Sequence, residues 1–259
     1  MNLASLLRRI IGLLPRFPRT RRPPPAGPLD PGISVPEHLA IIPDGNRRWA
    51  RAHGLPEAEG HRRGAEVVEN LMWQCRDWGV SVLTFWGFST ENWERSDTEV
   101  GYLMDLFTDL IKRNVSELER NSVRFRHLGR RDRIPKRLRA AIDDAERRTR
   151  ECSDFHFNLC LDYGGRDEIV RAVRCIVEEG LGPDGITEQT LGEHLDTRGL
   201  PDPDLIVRTS GELRLSGILP YQSVYTEFAF VDKHFPDMTA DVLREVFQDY
   251  SGRKRRFGK

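Results

Sequence analysis

The stretch SVLTFWGF, residues 81–88, carries apolar side chains at odd and even positions alike. As a strand it must therefore be covered on both faces, which is the condition of a parallel sheet with crossover helices packed above and below. The rest of the chain fits that requirement. HLAII (38–42), VRFRHLG (123–129), FHFNLCL (155–161), DLIVRT (204–209) and EFAFVD (227–232) read as further strands. Between them, Arg63–Trp78 has Ala65, Val68, Leu71, Met72, Cys75 and Trp78 at helical spacing, with Gly79 as its C′ residue. Thr98–Arg120 presents Val100, Leu103, Phe107, Leu110 and Leu118 on one broad stripe, behind a Ser96/Glu99 capping box. Pro135–Arg150, Arg166–Glu179 and Ala240–Tyr250 complete the helices, and no internal repeat is present. The expectation is an α/β fold, a single domain with a central, mainly parallel sheet flanked by helices.

At 259 residues the chain is long enough for one such domain. The domain is expected over 38–259, after a separable segment at 1–37. Residues 1–22 hold six arginines and no acid, with leucines and isoleucines at three- and four-residue spacing, and the Pro-rich PRFPRTRRPPPAGPLDPG follows. Three readings of this segment stand: a peripheral membrane contact through an amphipathic helix, a tail, or a targeting peptide. No apolar run reaches the roughly 18 to 20 residues that span a bilayer. Forty basic and forty acidic residues cancel, so net charge does not indicate a nucleic-acid partner. The cysteines, at 75, 152, 160 and 175, lack paired zinc spacing and read as reduced thiols of a cytoplasmic protein, mostly in its core.

In open parallel sheets ligands lie beyond the C-terminal ends of the strands, which selects Asp44–Trp49, Ser89–Arg95, Tyr163–Arg166 and Arg208–Ser216. Asp44 offers a hard oxygen suited to Mg²⁺, while Gly45 and Asn46 allow a tight loop whose N–H groups meet an anion, and Arg48 adds a charged donor. Alone, this is a common turn dipeptide. Ser89, Thr90 and Asn92 supply further donors, as does Arg95, although a capped helix start explains them equally well. Arg208, Arg214 and Ser216 can converge on one diphosphate. Three donor-rich segments at strand ends favour a polyphosphate site, and the apolar Val100–Leu118 stripe is either core or one wall of a hydrocarbon cleft.

Taken together, HLAIIPDGNRRWA, Gly60-His61, FSTENW, YGGR (163–166), PDLIVRTSGELRLS, YTE (225–227) and RRFG (255–258) resemble the cis-prenyltransferases, the undecaprenyl diphosphate synthase and dehydrodolichyl diphosphate synthase family. The resemblance covers His38 to the C-terminus with the motifs in family order. It implies a homodimer with a hydrophobic product tunnel, and a Mg²⁺-dependent head-to-tail condensation of isopentenyl diphosphate with an allylic diphosphate. It implies that Asp44 is the essential acid and a Mg²⁺ ligand. Gly45, Asn46, Arg47 and Arg48 would hold the allylic diphosphate, with Trp49 and His61 nearby. Arg208, Arg214, Leu215 and Ser216 fall on the isopentenyl diphosphate motif. Glu227 is implied as a second metal ligand, across the dimer, and Arg256 and Gly258 as residues reaching a neighbouring site. Ser89, Thr90, Glu91, Asn92, Trp93 and Arg95 match the closing segment; the family gives Asn92 the proton-transfer step, for which a neutral amide is better suited to orienting groups.

The chain departs from the family pattern in several places. Glu57 stands where an Arg helps grip the allylic diphosphate, leaving Arg51, Arg62 or Arg63 to substitute. SGILPYQ replaces SNFLLWQ, and Asp162 replaces an Asn. Gly87 takes the position that bulky residues occupy in makers of short products, which implies an open tunnel and a medium to long product. Two competing readings are a silent partner subunit and an enzyme joining two allylic diphosphates. The retained Asp44, Arg48, Arg208 and Arg214 weigh against the first, and the intact Arg208, Arg214 and Ser216 against the second.

Overall fold

The computed structural model describes residues 26–253. Six strands form one sheet: β1 (His38–Ile42), β2 (Val82–Ser89), β3 (Val123–Leu128), β4 (Phe155–Tyr163), β5 (Leu205–Thr209) and β6 (Glu227–Val231). Their order is β3-β4-β2-β1-β5-β6 and every pairing is parallel, so the sheet is wholly rather than mainly parallel. The helices are α1 (Asn46–Ala52), α2 (Glu57–Asp77), α3 (Asp97–Arg120), α4 (Lys136–Thr149), α5 (Gly165–Glu178), α6 (Glu188–His194) and α7 (Ala240–Ser251). One face of the sheet carries the main core, in which Leu39, Leu83, Phe85 and Phe157 meet Val68, Leu71, Leu103, Phe107 and Leu243. The other face has a smaller cluster around Ala40, Ile42, Cys160, Tyr163 and Ile218.

Strand β1 leads away to β2 on one side, and its neighbour β5 leads to β6 on the other. Two adjacent strands whose connections diverge leave a crevice at their C-terminal ends. The residues beyond β1 and at the end of β5 are Asp44 and Arg208.

Three local features differ from the sequence expectation. The Pro-Asp-Gly turn runs directly into α1, with Gly45 as its N-cap at φ +96°. A left-handed glycine reverses the chain at no steric cost. Helix α2 starts six residues before the expected Arg63, because Gly60 sits inside it: a Cβ there would lie 2.0 Å from the Asn46 carbonyl oxygen, so the glycine permits α1 and α2 to touch. Third, folded chain precedes His38. Leu29, Ile33 and Val35 pack against the main core, the Ala26 N–H donates to Gln74 Oε1 at 2.9 Å, and the Trp78 indole donates to the Gly27 carbonyl at 3.1 Å. The expected separable segment 1–37 thus ends in a strap, from residue 26 onward, already docked on α2.

The short α6 escaped the sequence reading because it buries no side chain and so has no apolar period. Cys75 and Cys160 are buried, Cys152 is half-buried and Cys175 exposed, all as free thiols, so only half of them lie in the core. The basic segment 1–25 and the C-terminal Arg256 and Gly258 lie outside the described residues. No helix among the described residues is long and apolar enough to cross a membrane.

Candidate active site

The main chain of Asp44 is held from three sides. Its N–H donates to Thr209 Oγ1 at 2.8 Å, and its carbonyl oxygen accepts from the Thr209 and Ser210 hydroxyls at 2.8 Å and from the Phe235 N–H at 2.9 Å. The carboxylate is thereby aimed at two guanidinium groups. Oδ1 accepts from Arg48 at 3.0 Å and Oδ2 from Arg208 at 2.8 Å. Burial opposes ionisation of Asp44, but the hydrogen bonds and charges of Arg208 and Arg48 outweigh it and hold the carboxyl below the usual carboxylate range. The corresponding stabilisation is present above the ordinary Asp range and is lost as pH falls through the lowered native value.

Arg208 also donates to Ser216 Oγ at 2.7 Å and to the Arg214 carbonyl at 2.5 Å. Arg48 reaches Glu212 at 2.9 Å, and Glu212 in turn accepts from Arg214 at 2.5 Å. The structure therefore unites Asp44, Arg48, Arg208 and Ser216 directly. Arg214 joins through its carbonyl and through Glu212, an acid for which the sequence suggested no role. Its own guanidinium is largely exposed.

A second group gathers on Glu99, whose carboxylate accepts from His61 at 3.2 Å and Arg95 at 2.9 Å and lies 3.5 Å from Arg47. The His61 hydrogen bond, with the Arg95 and Arg47 charges, holds Glu99 below the usual range against its burial. In sequence Glu99 looked like the far half of a capping box. Ser96 does cap α3 by accepting from the Glu99 N–H at 3.3 Å, but the Glu99 side chain turns into the site instead. The reciprocal box forms earlier, between Ser89 and Asn92, where the Ser89 N–H donates to Asn92 Oδ1 at 3.2 Å across a 3₁₀ turn, Thr90–Glu94. Trp93 leaves that turn on the side away from the crevice, its indole N–H donating to Asp162 Oδ1 at 2.8 Å.

Asp44, Arg208, Ser216, His61 and Arg95 open onto a cavity of about 350 Å³, while Arg47, Arg48, Arg214 and Glu99 stand behind its lining. Its polar end is lined by Asp44, Asn46, His61, Arg95, Arg208 and Ser216, together with Ser89, Glu91 and Asn92. Its apolar end is formed by Ala65 and Val68 of α2, Leu103, Phe107 and Leu110 of α3, and Gly87 and Leu159 of the sheet. Part of the α3 stripe is thus core and part is wall, which periodicity alone left open.

Several expected site residues stand apart from it. Gly45 backs onto Ser210 and His234, which a Cβ would meet at 2.1 and 2.5 Å. Trp49 donates to Asp237 at 2.7 Å and stacks near His53, Thr90 bonds Glu91 at 3.0 Å, and Leu215 packs on the second core cluster. Glu227 is the most distant of them. It opens β6 level with Leu205, which is itself level with Leu39 of β1, and Arg253 holds it at 2.9 Å. Asp44 follows Leu39 by five residues, roughly 15 Å along the strand direction. Within one chain the two acids lie at opposite ends of the sheet and cannot share an ion.

Among the described residues no three His, Cys, Asp or Glu side chains form a metal-binding cluster. Asp44 nevertheless suits Mg²⁺. Each carboxylate oxygen keeps a lone pair beyond the one its guanidinium uses, and Mg²⁺ is commonly held by one or two carboxylates plus substrate phosphates.

A parallel-sheet crevice lined by a carboxylate and arginines, opening onto a hydrocarbon pocket, defines a site for an amphiphilic molecule with an anionic head. Residues 42–258 match the family described as putative undecaprenyl diphosphate synthase. The isoprenyl transferase of Agrobacterium fabrum is 44% identical over 229 residues, covering 87% of this chain and 93% of that one. That of Aquifex aeolicus is 43% identical over 227 residues, covering 88% and 97%. Among solved structures, lavandulyl diphosphate synthase from Lavandula x intermedia, in complex with dimethylallyl diphosphate, superposes with a TM-score of 0.83 at 38% identity over 86% of this chain and 98% of that one. A probable undecaprenyl diphosphate synthase from Campylobacter jejuni gives 0.73 at 31% identity over 87% and 100%. The chain belongs to this family, the cis-prenyltransferases, and is an isoprenyl transferase enzyme.

Two of its departures now have surroundings. Glu57 opens α2 and accepts from Arg51 at 2.9 Å, away from the pocket lining. Arg62 is held by Glu59 and Glu66, and Arg63 by Glu66, so acids already engage all three arginines expected to stand in for the missing one. Glu57→Arg adds one cation at the start of α2 and releases Arg51. A lower KM for the allylic substrate is expected, and an unchanged or raised KM in steady-state assays counts against this account.

Asp162 is fully buried at φ +51°, where it takes both the Trp93 indole and the Arg133 guanidinium, the latter at 2.9 Å through Nε. Arg133 also lies 5.6 Å over the Trp93 ring. The turn carrying Ser89, Glu91 and Asn92 is thus moored to the end of β4. Asp162→Ala should loosen it and raise the substrate KM by roughly tenfold, with kcat affected less. Asp162→Asn, which restores an acceptor for the indole, should recover part of that loss. Equal KM values in all three proteins would refute the mooring.

Proposed function

We propose that the enzyme catalyses the Mg²⁺-dependent head-to-tail condensation of isopentenyl diphosphate with an allylic diphosphate, releasing diphosphate and giving a cis-polyprenyl diphosphate of medium to long chain. The carrying observation is the single pocket whose polar end holds Asp44 and Arg208 and whose apolar end runs between α2, α3 and the sheet. That shape receives a diphosphate head and a growing hydrocarbon in one orientation.

In this reading Arg48, with Asn46, binds the allylic diphosphate, and Arg208 with Ser216 positions isopentenyl diphosphate so that its double bond faces the allylic carbon. Bound Mg²⁺, held by Asp44, would supply charge stabilisation on the departing diphosphate. His61 and Arg95, kept in place by Glu99, add fixed donors on the same side, where negative charge develops. Asn92 Oδ1 is already engaged by the Ser89 N–H, so Asn92 orients groups while a diphosphate oxygen takes the proton that leaves the new chain. A homodimer is part of the proposal, since Glu227 reaches a metal only at another copy's site.

The test uses purified protein, Mg²⁺, radiolabelled isopentenyl diphosphate and a panel of allylic primers, with products read by chromatography. Incorporation that needs both a primer and Mg²⁺ is the expected result. No incorporation with any primer would remove the reading, and product from dimethylallyl diphosphate alone would replace it with the joining of two allylic units.

A further inference from the structure

Most arginines of the described residues are matched by acids; among those that are not, Arg124, Arg126 and Arg198 lie together. Arg124 and Arg126 sit two apart on β3, the edge strand, and point to the same face of the sheet. Arg124 pairs in register with His156 of β4, placing the two side chains next to each other. Arg126 donates to the Arg198 carbonyl at 3.1 Å through both terminal nitrogens and to the Asp196 carbonyl at 3.2 Å, which brings the loop bearing Arg198 alongside.

The acids nearest to this cluster are already used. Asp196 is bridged by Arg171 at 2.9 and 2.6 Å and accepts from the Gly129 N–H at 2.9 Å. Glu146 accepts from Arg131 at 2.7 and 2.6 Å and from the His127 N–H at 2.9 Å. Among the described residues Arg124 and Arg198 pair with no carboxylate. The three guanidinium groups repel one another: burial, then Arg198 and Arg124, push Arg126 below its ordinary value, and burial, then Arg124 and Arg126, do the same to His156. A further observation is independent of charge. Nδ1 of His156 is enclosed and has no hydrogen-bond partner among the described residues.

We propose that this edge is a second oxyanion site, taking a phosphate or diphosphate group between Arg124 and Arg198 with His156 beside it. Guanidinium forks match the several equivalent oxygens of such a group, and its charge would offset a repulsion that Glu146 and Asp196, bonded to other groups, offset only in part. The site is on the sheet face opposite the isoprenyl pocket and near the N-terminal ends of the strands, so it is no part of the transfer reaction and does not rest on the reading given above.

The experiment compares the full-length enzyme with its Arg124→Gln/Arg198→Gln double variant; Arg126 is left intact because it anchors the loop. Inorganic diphosphate is titrated calorimetrically into both, and both are mixed with vesicles of phosphatidic acid in a neutral lipid. The wild type should bind one more diphosphate per chain than the variant, or bind the vesicles roughly tenfold more tightly, at unchanged kcat and KM for isoprenyl transfer. A loss seen with diphosphate identifies a soluble ligand, and a loss confined to vesicles identifies a lipid headgroup. Identical binding of both probes by the two proteins overturns the proposal. Should the double variant fail to fold, the single Arg198→Gln, at an exposed position, decides by the same readouts.

Discussion

Asp44→Ala should lower kcat/KM for isoprenyl transfer by about a thousandfold or more. The carboxylate does three things that no neighbour can take over. It anchors Arg48 and Arg208 at 3.0 and 2.8 Å, it balances a guanidinium whose side chain is only 5% exposed, and it is the hard oxygen available to Mg²⁺ at the polar end of the pocket. Removing it leaves Arg208 with Ser216 and a carbonyl but without a counter-charge. Because Asp44 is itself partly exposed, solvent softens that loss, and a destabilisation of about 1–3 kcal/mol is expected rather than unfolding. Asp44→Asn keeps the shape and one acceptor but not the charge, and should be nearly as inactive as Asp44→Ala. Radiolabel incorporation at saturating Mg²⁺ checks both; activity within tenfold of the wild type in either variant would mean that Asp44 is structural.

Gly87→Leu should shorten the product while sparing the first condensation. A Cβ at residue 87 would meet Leu161 Cδ2 at 2.9 Å, Phe107 Cε1 at 3.1 Å and Leu159 Cδ1 at 3.2 Å, and Phe107 and Leu159 line the apolar end of the pocket. A leucine side chain there occupies space that the hydrocarbon needs, at an overpacking cost of about 1–3 kcal/mol. Gly87→Ala is the gentler step, whose single methyl requires its neighbours to give by a few tenths of an ångström. Product chromatography should show chain length falling in the order Gly, Ala, Leu at position 87. Full-length product from a folded Gly87→Leu enzyme would show that the chain grows in another direction.

The strands were legible because burial on both faces writes itself directly into composition. SVLTFWGF admits few arrangements, and the strand ends it implies located Asp44, Ser89 and Arg208 before any coordinates. The strap at 26–37 was hidden by its prolines, which look like linker although Leu29, Ile33 and Val35 are apolar and find the core. Helix α2 was cut short because glycine disfavours helices in isolation, whereas here Gly60 is needed for contact with α1. Glu99 was misassigned because a capping box and a site residue have the same local spelling. Only the direction of the side chain separates them.

Residue identity and order thus establish the parallel α/β architecture, the strand-end position of the site and its anion-binding character, since each follows from local period and from where strands must end. Tertiary structure alone decides the partnerships: that Arg48 and Arg208 close on one carboxylate, that Glu227 lies at the far end of the sheet, that Asp162 takes both Trp93 and Arg133, and that Arg124, Arg126 and Arg198 remain without an acid. Apart from the Asp44–Arg48 pair, four positions apart, these are relations between residues tens to more than a hundred positions apart. Sheet order and register bring such residues together or hold them apart, and neither is encoded in any one segment of the chain.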